Sequence, residues 1–382
     1  MSADVLIAGG GVAGAALAIM LGRRGVRVDL FEQRRFPSEK PCGEGIMPGG
    51  VGVLLRLGLL DAVGGEPFSA IRWYTNDLFA EGRFPRAPGE PTFGVAQRRL
   101  RLDSALFEAA RATPGVRAFE GVRVDAPIIE GARVTGVIAA GEERRAPLVV
   151  IADGAGSRLR SALGLCGRKA RRARVGVRAH FGGVADRLAQ DRVEVFIHEG
   201  HELYVTRLPG GEAMVAGLTD RIAVGVDLKS ALRRWIDTEP RLREALADAS
   251  ILGTVAGRYP LAGRARAGVV PGAVLLGDAA GWTDPVTGGG ISQALLAAEL
   301  LADHIPDALA RGDAVLRRFD RRRRRLLRDQ RLLTAGVLEL TAHPRLVRPT
   351  LRVLAAWPGL FSHFIGVATG SRRFIWSRAF AP

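Results

Sequence analysis

The sequence predicts an α/β fold in which a parallel sheet flanked by helices carries an inserted antiparallel sheet and ends in a helical segment. Three observations support this prediction. A strand, a glycine-containing turn and a helix follow one another three times along the chain. Residues 66–96 and 168–252 contain stretches that alternate polar and apolar side chains, as half-buried strands do. Residues 331–382 contain apolar stretches of helical character interleaved with arginine.

The composition is that of a globular protein. The chain has 382 residues, of which 47% are hydrophobic, enough to form the shared core of two domains. No apolar run reaches the roughly 20 residues that a membrane-spanning helix needs, and Asp4 stands where a signal peptide carries Lys or Arg. Cys42 and Cys166 are the only cysteines, too few for a disulfide framework. We therefore expect a cytoplasmic protein.

The formal net charge of +16 does not by itself indicate a nucleic-acid partner, because the basic residues are scattered along the whole chain. The densest run, residues 321–325, goes right round a helix, so its side chains do not all face one strand of phosphates. We predict a solvated helix surface there and no nucleic-acid partner. His198 and His201 are too few to hold a metal. We predict no metal site and no obligate protein partner.

The first strand–turn–helix unit has the pattern of a dinucleotide-binding site. An apolar strand leads into Gly9, Gly11 and Gly14, spaced as G-x-G-x-x-G, and a helical stretch follows. This spacing allows a tight turn, close approach of the backbone to a pyrophosphate and close packing of the helix on the strand. A second strand ends at Glu32, about 20 residues after Gly11, where a carboxylate binds ribose hydroxyls. The predicted binding residues of this unit are Gly9, Gly11, Val12, Ala13, Gly14, Glu32 and Gln33.

Two later units repeat this arrangement. In the second, an apolar strand leads to Asp153-Gly154, and Ser157 is placed to cap the helix that follows. In the third, a strand ends at Gly277-Asp278, and a glycine-rich loop leads into a long helix. The loop residues of the third unit that we assign to the cofactor site are Pro285, Gly288, Gly289, Gly290 and Ile291.

The three units in this order resemble the FAD-binding, Asp-Gly and Gly-Asp motifs of the flavoprotein monooxygenase family typified by p-hydroxybenzoate hydroxylase. Residues 99–110, RLRLDSALFEAA, resemble the Arg-x-x-Leu-Asp segment of that family. The resemblance covers nearly the whole chain and implies a Rossmann-like FAD-binding domain of the glutathione reductase type. It also implies that Arg99 contacts the FAD phosphate or ribityl region, that Val124 offers backbone to the adenine, and that Asp278 bonds the ribityl chain.

The glycines of the third unit suit a flavin that accepts electrons. Such a flavin becomes anionic at its pyrimidine edge, and a helix N-terminus with free N–H groups stabilises negative charge. Gly288 to Gly290 precede the long helix and permit a close approach that any side chain would block.

The stretch EKPCGEGIMP, residues 39–48, lies where the family's chain runs from the ribose toward the isoalloxazine, which implies that Cys42, Gly43 and Glu44 lie near the flavin. Pro-Cys-Gly is similar to the geranylgeranyl reductase branch, and Gly-Glu-x-x-x-Pro to the halogenases. Cys42 is either a thiol acting beside the flavin or a small apolar residue that fills space. Glu44 is either a proton relay or the cap of a helix that begins near Gly49.

The resemblance also divides the chain. The sheet inserted between the FAD motifs is what this family uses to roof the flavin and shape the substrate pocket. The Trp-x-Trp-x-Ile-Pro segment of the flavin-dependent halogenases is absent, since HELYVTRLP stands in that region. The predicted parts are an FAD-binding domain (1–65, 97–167 and 253–330), a substrate-binding sheet domain (66–96 and 168–252) and a C-terminal helical segment (331–382).

Aromatic residues in the C-terminal segment allow two interpretations. Trp357, Phe361, Phe364 and Trp376 are interleaved with arginines. They contact a membrane surface or admit an apolar substrate in one interpretation. In the other, which we prefer, they pack against the body of the protein.

The resemblance implies an FAD-dependent oxidoreductase, in first place a monooxygenase that uses NAD(P)H as a transient electron donor and dioxygen as co-substrate. It would hydroxylate or epoxidise a lipophilic or aromatic small molecule through a flavin hydroperoxide, in natural-product biosynthesis. No side chain is assigned as an assured catalyst, and the candidates near the flavin are Cys42, Glu44 and Pro285. The alternatives are a reductase of prenyl-chain double bonds and, more distantly, a non-catalytic flavin-binding protein.

Overall fold

The computed structural model describes residues 2–167, 173–184, 187–220 and 227–374. Its strands are β1 (Val5–Ala8), β2 (Val28–Glu32), β3 (Gly45–Ile46), β4 (Glu66–Phe68), β5 (Ala70–Thr75), β6 (Leu78–Arg83), β7 (Gly94–Ala96), β8 (Val116–Glu120), β9 (Val124–Glu130), β10 (Arg133–Ala139), β11 (Glu142–Arg145), β12 (Leu148–Ile151), β13 (Val175–Gly182), β14 (Arg192–His198), β15 (His201–Leu208), β16 (Glu212–Thr219), β17 (Ser250–Arg258), β18 (Gly263–Arg264), β19 (Val269–Val270), β20 (Ala273–Leu275) and β21 (Gly281–Trp282). Its helices are α1 (Val12–Gly22), α2 (Pro48–Leu57), α3 (Leu60–Val63), α4 (Arg99–Arg111), α5 (Arg158–Ala162), α6 (Leu228–Asp237), α7 (Pro240–Ala245), α8 (Gly290–Ala302), α9 (Ile305–Arg311), α10 (Asp313–Leu326), α11 (Arg328–Ala342), α12 (Pro344–Ala356) and α13 (Pro358–Thr369). Three short 3-10 turns lie at Pro209–Gly211, Gly277–Ala280 and Pro285–Thr287.

A sheet with the order β19-β20-β12-β1-β2-β8 contains the strands that lead into the three turns described above. Its pairings are parallel except that of β19 with β20. Side chains on alternate faces of β1 enter two different cores, because successive residues of a strand point in opposite directions. Val5 and Ile7 pack with α1, α4 and α8, whereas Leu6 and Ala8 pack toward β10. The predicted α/β class is confirmed.

A second sheet, with the order β17-β13-β16-β15-β14-β5-β6, lies beside the first. Its pairings are antiparallel except that of β14 with β5, which is parallel. No hairpin joins these two strands, so their relative direction is not set by a turn. The sheet is covered by α6 and α7 on one face and by α12 and α13 on the other.

The C-terminal part of the chain is helical, as predicted, and α12 and α13 pack on β5 and β6. Within the described ranges no single helix has the length and apolar composition to cross a membrane. α12 and α13 meet those criteria only as a pair that is bent by 108°. Trp376 lies outside the described residues.

The arginine run of α10 is mostly exposed, but one member departs from the prediction of a solvated surface. Arg323 is buried and donates to Asp320 Oδ1 over 2.7 Å, while Arg324 bonds Asp320 Oδ2 from the exposed side. The sequence did not reveal this pair, because it depends on which face of α10 packs against its neighbours.

Candidate functional site

The glycine turn between β1 and α1 excludes side chains at two of its positions. A Cβ added to Gly9, whose φ is +109°, would lie 2.4 Å from the carbonyl oxygen of Ala152. A Cβ at Gly14 would lie 1.9 Å from the carbonyl oxygen of Gly9. At Gly11 the nearest atom is Lys40 Nζ, at 3.2 Å. Gly11 is the residue before the first turn of α1, and no side chain caps this turn. The first turn of α1 therefore presents free N–H groups to an anion.

Glu32 closes this turn from the neighbouring strand. Its Oε2 accepts a hydrogen bond from the Gly10 N–H over 2.9 Å, and its Oε1 accepts one from the Arg34 N–H over 2.9 Å. Each carboxylate oxygen retains a second lone pair, so both can also accept ribose hydroxyls. The predicted binding residue Gln33 is exposed.

Two cations beside the glycine turn are held by one buried carboxylate. Asp103 accepts from Lys40 Nζ over 2.6 Å and from Arg99 Nε and Nη2 over 2.9 Å each. Burial opposes ionisation of Asp103, but Arg99 and Lys40 outweigh it and hold the pKa of this carboxyl below its ordinary value. Arg99 was predicted from the sequence, whereas Lys40 and Asp103 were not, because no local pattern links these two residues.

The second unit meets the first at the end of β12. Gly154 has a φ of +87°, and Ser157 caps α5 by accepting from the Arg160 N–H over 3.0 Å, as predicted. Asp153 Oδ1 is buried and has no hydrogen-bond partner among the described residues. Burial raises the pKa of Asp153. Val124 begins β9 and is half-buried.

The third unit contacts the first helix directly. A Cβ at Gly277 would lie 3.0 Å from Ala13 Cβ. The Asp278 side chain is 45% exposed, and its Oδ2 lies 3.8 Å from Arg258 Nη2. Since β20, β12 and β1 are neighbours in the sheet, the three predicted turns lie side by side at one edge of it.

The loop after Asp278 presents the second helix N-terminus of the site. Gly288 has a φ of +67°, and a Cβ there would lie 2.7 Å from Met47 Cε. α8 begins at Gly290 without a side-chain cap, no atom lies within 4 Å of a Cβ placed at Gly290, and Ile291 is buried. Pro285 begins the 3-10 turn before these glycines.

Side chains on both sides of this loop tie it to the second sheet. Asp284 Oδ1 accepts from the Val286 N–H over 3.1 Å and from Arg174 Nη1 over 2.9 Å. Arg174 also pairs with Glu202. The Tyr204 hydroxyl donates to the Val286 carbonyl oxygen over 3.2 Å, and burial raises its pKa well above the ordinary value, so it stays protonated.

The segment that contains Cys42 and Glu44 lies between the glycine turn and the second sheet. Cys42 is half-buried, and its Sγ lies 3.4 Å from the Glu44 N–H. α2 begins at Pro48, and its N-cap residue is Met47, whose side chain makes no capping hydrogen bond. The interpretation of Glu44 as the cap of α2 is therefore wrong. Its Oε1 instead accepts from the N–H of Arg99, the first residue of α4. The sequence did not reveal this because the two segments are 55 residues apart.

The second oxygen of Glu44 contacts His180, on β13 of the second sheet, over 2.7 Å. Glu39, Glu44 and His180 place their ligand atoms within 4.8 Å of one another. Arg178, however, contacts both Glu39 and His180. A neighbouring cation disfavours binding of a metal ion here, and the absence of a metal site stays a prediction.

An apolar cavity of about 210 Å³ lies between the second sheet and the C-terminal helices. Part of its lining is Val286, Thr287 and Gly288, in the loop that leads to α8. None of the described residues that line it is charged. Its other walls are formed by Met47, Ile71, Trp73, Val193, Val195, Tyr204, Leu333, Gly336, Val337, Leu340, Thr350, Leu354, Phe361, Phe364, Ile365 and Ala368.

Residues 2–331 match the family model described as the FAD binding domain. The chain belongs to this FAD-binding family. The resemblance to the flavoprotein monooxygenases is thereby confirmed.

Relatives of this flavoprotein carry out different reactions. It is 30% identical to the squalene monooxygenase of Mus musculus over 331 residues, which are 80% of this chain and 55% of that protein. It is 28% identical to the menaquinone reductase of Mycobacterium tuberculosis over 359 residues, 83% of each chain. The chain spans 53 to 59% of the length of the first three squalene epoxidases that it matches.

Solved structures share the fold of this flavoprotein. The myxobacterial chondrochloren halogenase has a TM-score of 0.79 at 24% identity, covering 98% of this chain and 94% of its own. A geranylgeranyl bacteriochlorophyll reductase-like protein of Thermoplasma acidophilum has a TM-score of 0.77 at 22% identity, covering 95% and 91%.

The residues of this flavoprotein fit FAD. The uncapped start of α1 and the open side of Gly11 suit a pyrophosphate, and the free lone pairs of Glu32 suit a ribose. The unpartnered Asp153 Oδ1 and the open, uncapped start of α8 offer further polar groups. Sequence reasoning missed Arg174, His180 and Tyr204, which come from the second sheet and carry no local motif.

Proposed function

We propose that this flavoprotein is a monooxygenase that hydroxylates or epoxidises an uncharged, lipophilic small molecule, with NAD(P)H as electron donor and dioxygen as co-substrate. The observation that carries the proposal is the apolar cavity whose lining includes Val286 to Gly288, directly before the uncapped start of α8. A substrate in this cavity would lie next to the loop that we assign to the flavin.

In this proposal FAD is held by Gly9 to Gly14, Glu32, Arg99, Asp278 and Gly288 to Gly290. Bound FAD would supply electron transfer and activation of dioxygen, which amino-acid side chains do not provide. The uncapped N-termini of α1 and α8 would stabilise negative charge at the two ends of the site.

The residues around the cavity would exclude water and select for apolarity. Trp73 and Phe361 meet edge to face, with ring centroids 5.2 Å apart, and form a rigid apolar wall. The Tyr204 hydroxyl donates to Val286, and the Thr287 hydroxyl pairs with that of Thr334. These two hydroxyls already have protein partners. The cavity would therefore select a substrate by its shape and hydrophobicity, and not by hydrogen bonds to these hydroxyls.

A second candidate is a reductase that saturates an isolated double bond of a prenyl chain. The similarity to the menaquinone reductase favours it, because that relative matches over 83% of both chains, whereas the mouse squalene monooxygenase is matched over 55% of its own length. The same cavity would accept a prenyl chain.

We further propose that the substrate enters from a membrane surface. α12 and α13 meet at Trp357, which is 67% exposed, so the preferred expectation that this side chain packs against the body of the protein is wrong. Val353 is exposed beside it. Residues 344–369 contain three arginines and no acidic residue, a composition that favours an anionic lipid surface. The inner faces of the same helices line the cavity through Leu354 and Phe361.

Mass spectrometry of the products tests the reaction. Purified protein loaded with FAD is incubated with NADPH, labelled ¹⁸O₂ and a panel of phenols, quinones, squalene-like hydrocarbons and prenylated quinones. A monooxygenase adds one labelled oxygen atom to one class of compound. A gain of two hydrogens without label supports the reductase. If bound FAD is not reduced by NADPH or NADH, neither enzyme assignment stands.

A further inference from the structure

A buried hydrogen-bonded pair connects the Cys42 loop to the second sheet. The Glu44 and His180 side chains are both 0% exposed, and Glu44 Oε2 lies 2.7 Å from His180 Nε2. They are 136 residues apart in the chain. Glu44 precedes β3 in the FAD-binding part, whereas His180 lies on β13. No step of the proposed reaction uses either residue.

The neighbours of this pair fix the position of its proton. Arg178 Nη1 lies 2.9 Å from His180 Nδ1, and a guanidinium has donors but no acceptor. Nδ1 must therefore accept, which leaves the imidazole proton on Nε2. That proton is donated to Glu44 Oε2, while Glu44 Oε1 accepts from the Arg99 N–H over 3.0 Å. Glu44 accordingly acts as an acceptor at both oxygens.

The pair holds the backbone in a conformation that the local sequence disfavours. The backbone angle φ of Glu44 is +60°. Residues other than glycine rarely adopt this left-handed conformation without support from their surroundings. The support comes from three sides. Oε1 bonds α4, Oε2 bonds β13, and the Glu44 carbonyl oxygen accepts from the Gln97 N–H over 3.1 Å.

The same segment borders the FAD cradle. Lys40 Nζ is the atom nearest to the open side of Gly11, and the Lys40 carbonyl oxygen accepts from Arg178 Nη2 over 3.2 Å. Arg178 and Arg98 also pair with Glu39. Residues 39–44 are thus bonded to β13 at both ends, and between these ends Lys40 lies beside Gly11.

We propose that His180 is a positioning residue for the cofactor site: by donating Nε2–H to Glu44 it sets the conformation of residues 39–44 and makes the FAD environment depend on the second sheet. The inference rests on FAD binding and is independent of which substrate is oxidised. Its failure would therefore leave the proposed function untouched.

The test compares three substitutions in the full-length protein. His180→Leu removes the donor and the acceptor at similar volume. His180→Gln keeps both, since its amide oxygen accepts from Arg178 and its NH₂ donates to Glu44. His198→Gln, on β14 of the same sheet and away from this segment, is the matched control. We expect His180→Leu to weaken FAD binding about tenfold and to shift the visible absorption of bound FAD, and both changes to be absent from the other two variants.

Equal FAD affinity and an unchanged flavin spectrum in a folded His180→Leu protein would overturn the proposal. Should that variant not fold, Glu44→Gln provides the second test. In either orientation the NH₂ group of the Gln side chain faces a donor, either the Arg99 N–H or His180 Nε2–H. We expect a folded Glu44→Gln protein to bind FAD about tenfold more weakly and to show a shifted flavin spectrum, because one of the two hydrogen bonds of Glu44 is lost. Wild-type FAD affinity together with an unchanged spectrum in this variant would equally contradict the inference.

Discussion

Arg174 donates to Asp284 over 2.9 Å and joins the second sheet to the loop that leads into α8. Glu202 shares the same guanidinium, and burial raises the pKa of both carboxyl groups. Each carboxylate is therefore stabilised chiefly by Arg174. Together with the hydrogen bond from Tyr204 to Val286, this pairing ties the loop beside the cavity to the second sheet.

Replacing Arg174 by Met should destabilise the protein by about 3 to 5 kcal/mol, because two buried carboxyl groups lose their cation. The free energy of unfolding is measured by urea denaturation of the apo-protein. Arg187→Met, which breaks an exposed pair with Asp248, should cost no more than about 1 kcal/mol. Equal costs for the two variants would show that the buried triad contributes little.

Gly11→Ala should separate FAD binding from folding. A Cβ at Gly11 meets only the flexible end of Lys40, so the stability of the apo-protein should change by no more than about 0.5 kcal/mol. A methyl group on the pyrophosphate side should weaken FAD at least about tenfold. Fluorescence titration of FAD measures this, with Gly359→Ala, exposed and distant on α13, as control. Unchanged affinity would exclude Gly11 from the cradle.

Gly336→Phe should block the proposed substrate cavity. Gly336 lies on α11 and lines the cavity, and no atom lies within 4 Å of a Cβ placed there. We expect turnover to fall at least about tenfold while FAD binding is retained, because the ring occupies the space for substrate. Gly336→Ala should keep activity and gain about 0.5 to 1 kcal/mol of helix stability. Full turnover in Gly336→Phe would mean that the substrate binds elsewhere.

His201 should make stability depend on pH. Burial and the adjacent His198 lower the pKa of His201 from 6.5 to about 4. The unfolded chain then binds a proton that the folded protein does not, so stability is complete above pH 6.5 and is lost as the pH falls toward 4. Because the ring is only half-buried, we expect an effect of about 1 kcal/mol. His201→Phe, which can still stack on Trp235, should flatten the unfolding free energy over this range; an unchanged slope would contradict the assignment.

Trp357→Ala should weaken binding to anionic vesicles about tenfold, because the indole is the most exposed large apolar group at the junction of α12 and α13. Co-sedimentation with phosphatidylserine-containing vesicles and with neutral vesicles measures it. Ile129→Ala, an exposed apolar residue on β9, is the control. If Trp357→Ala sediments with the vesicles as the wild type does, or if the wild type itself stays in solution, the predicted membrane contact is wrong. If the wild type is instead a dimer and Trp357→Ala is a monomer, the surface around Trp357 contacts a second copy of the chain.

Local patterns in the sequence predicted several turns and one helix cap that the structure contains. The G-x-G-x-x-G spacing, the Asp153-Gly154 turn, the Ser157 cap and the glycines before α8 each depend on residues close together in the chain, and the structure brings them to one edge of the first sheet. The prediction for Glu44 was wrong in one respect, because the helix that it caps is α4 and not α2. No local signal identifies a partner 55 residues away.

The sequence by itself determined the fold class, the three strand–turn–helix units and the family, because turn geometry and strand–helix alternation are encoded within short windows. Only the tertiary structure decided what lies against those turns. The Glu44–His180 bond, the Arg174–Asp284 pair and the apolar cavity all join segments that are far apart in the chain. Such contacts form only when the second sheet packs beside the first, and packing depends on the shape and burial of whole surfaces, which no short window of sequence contains.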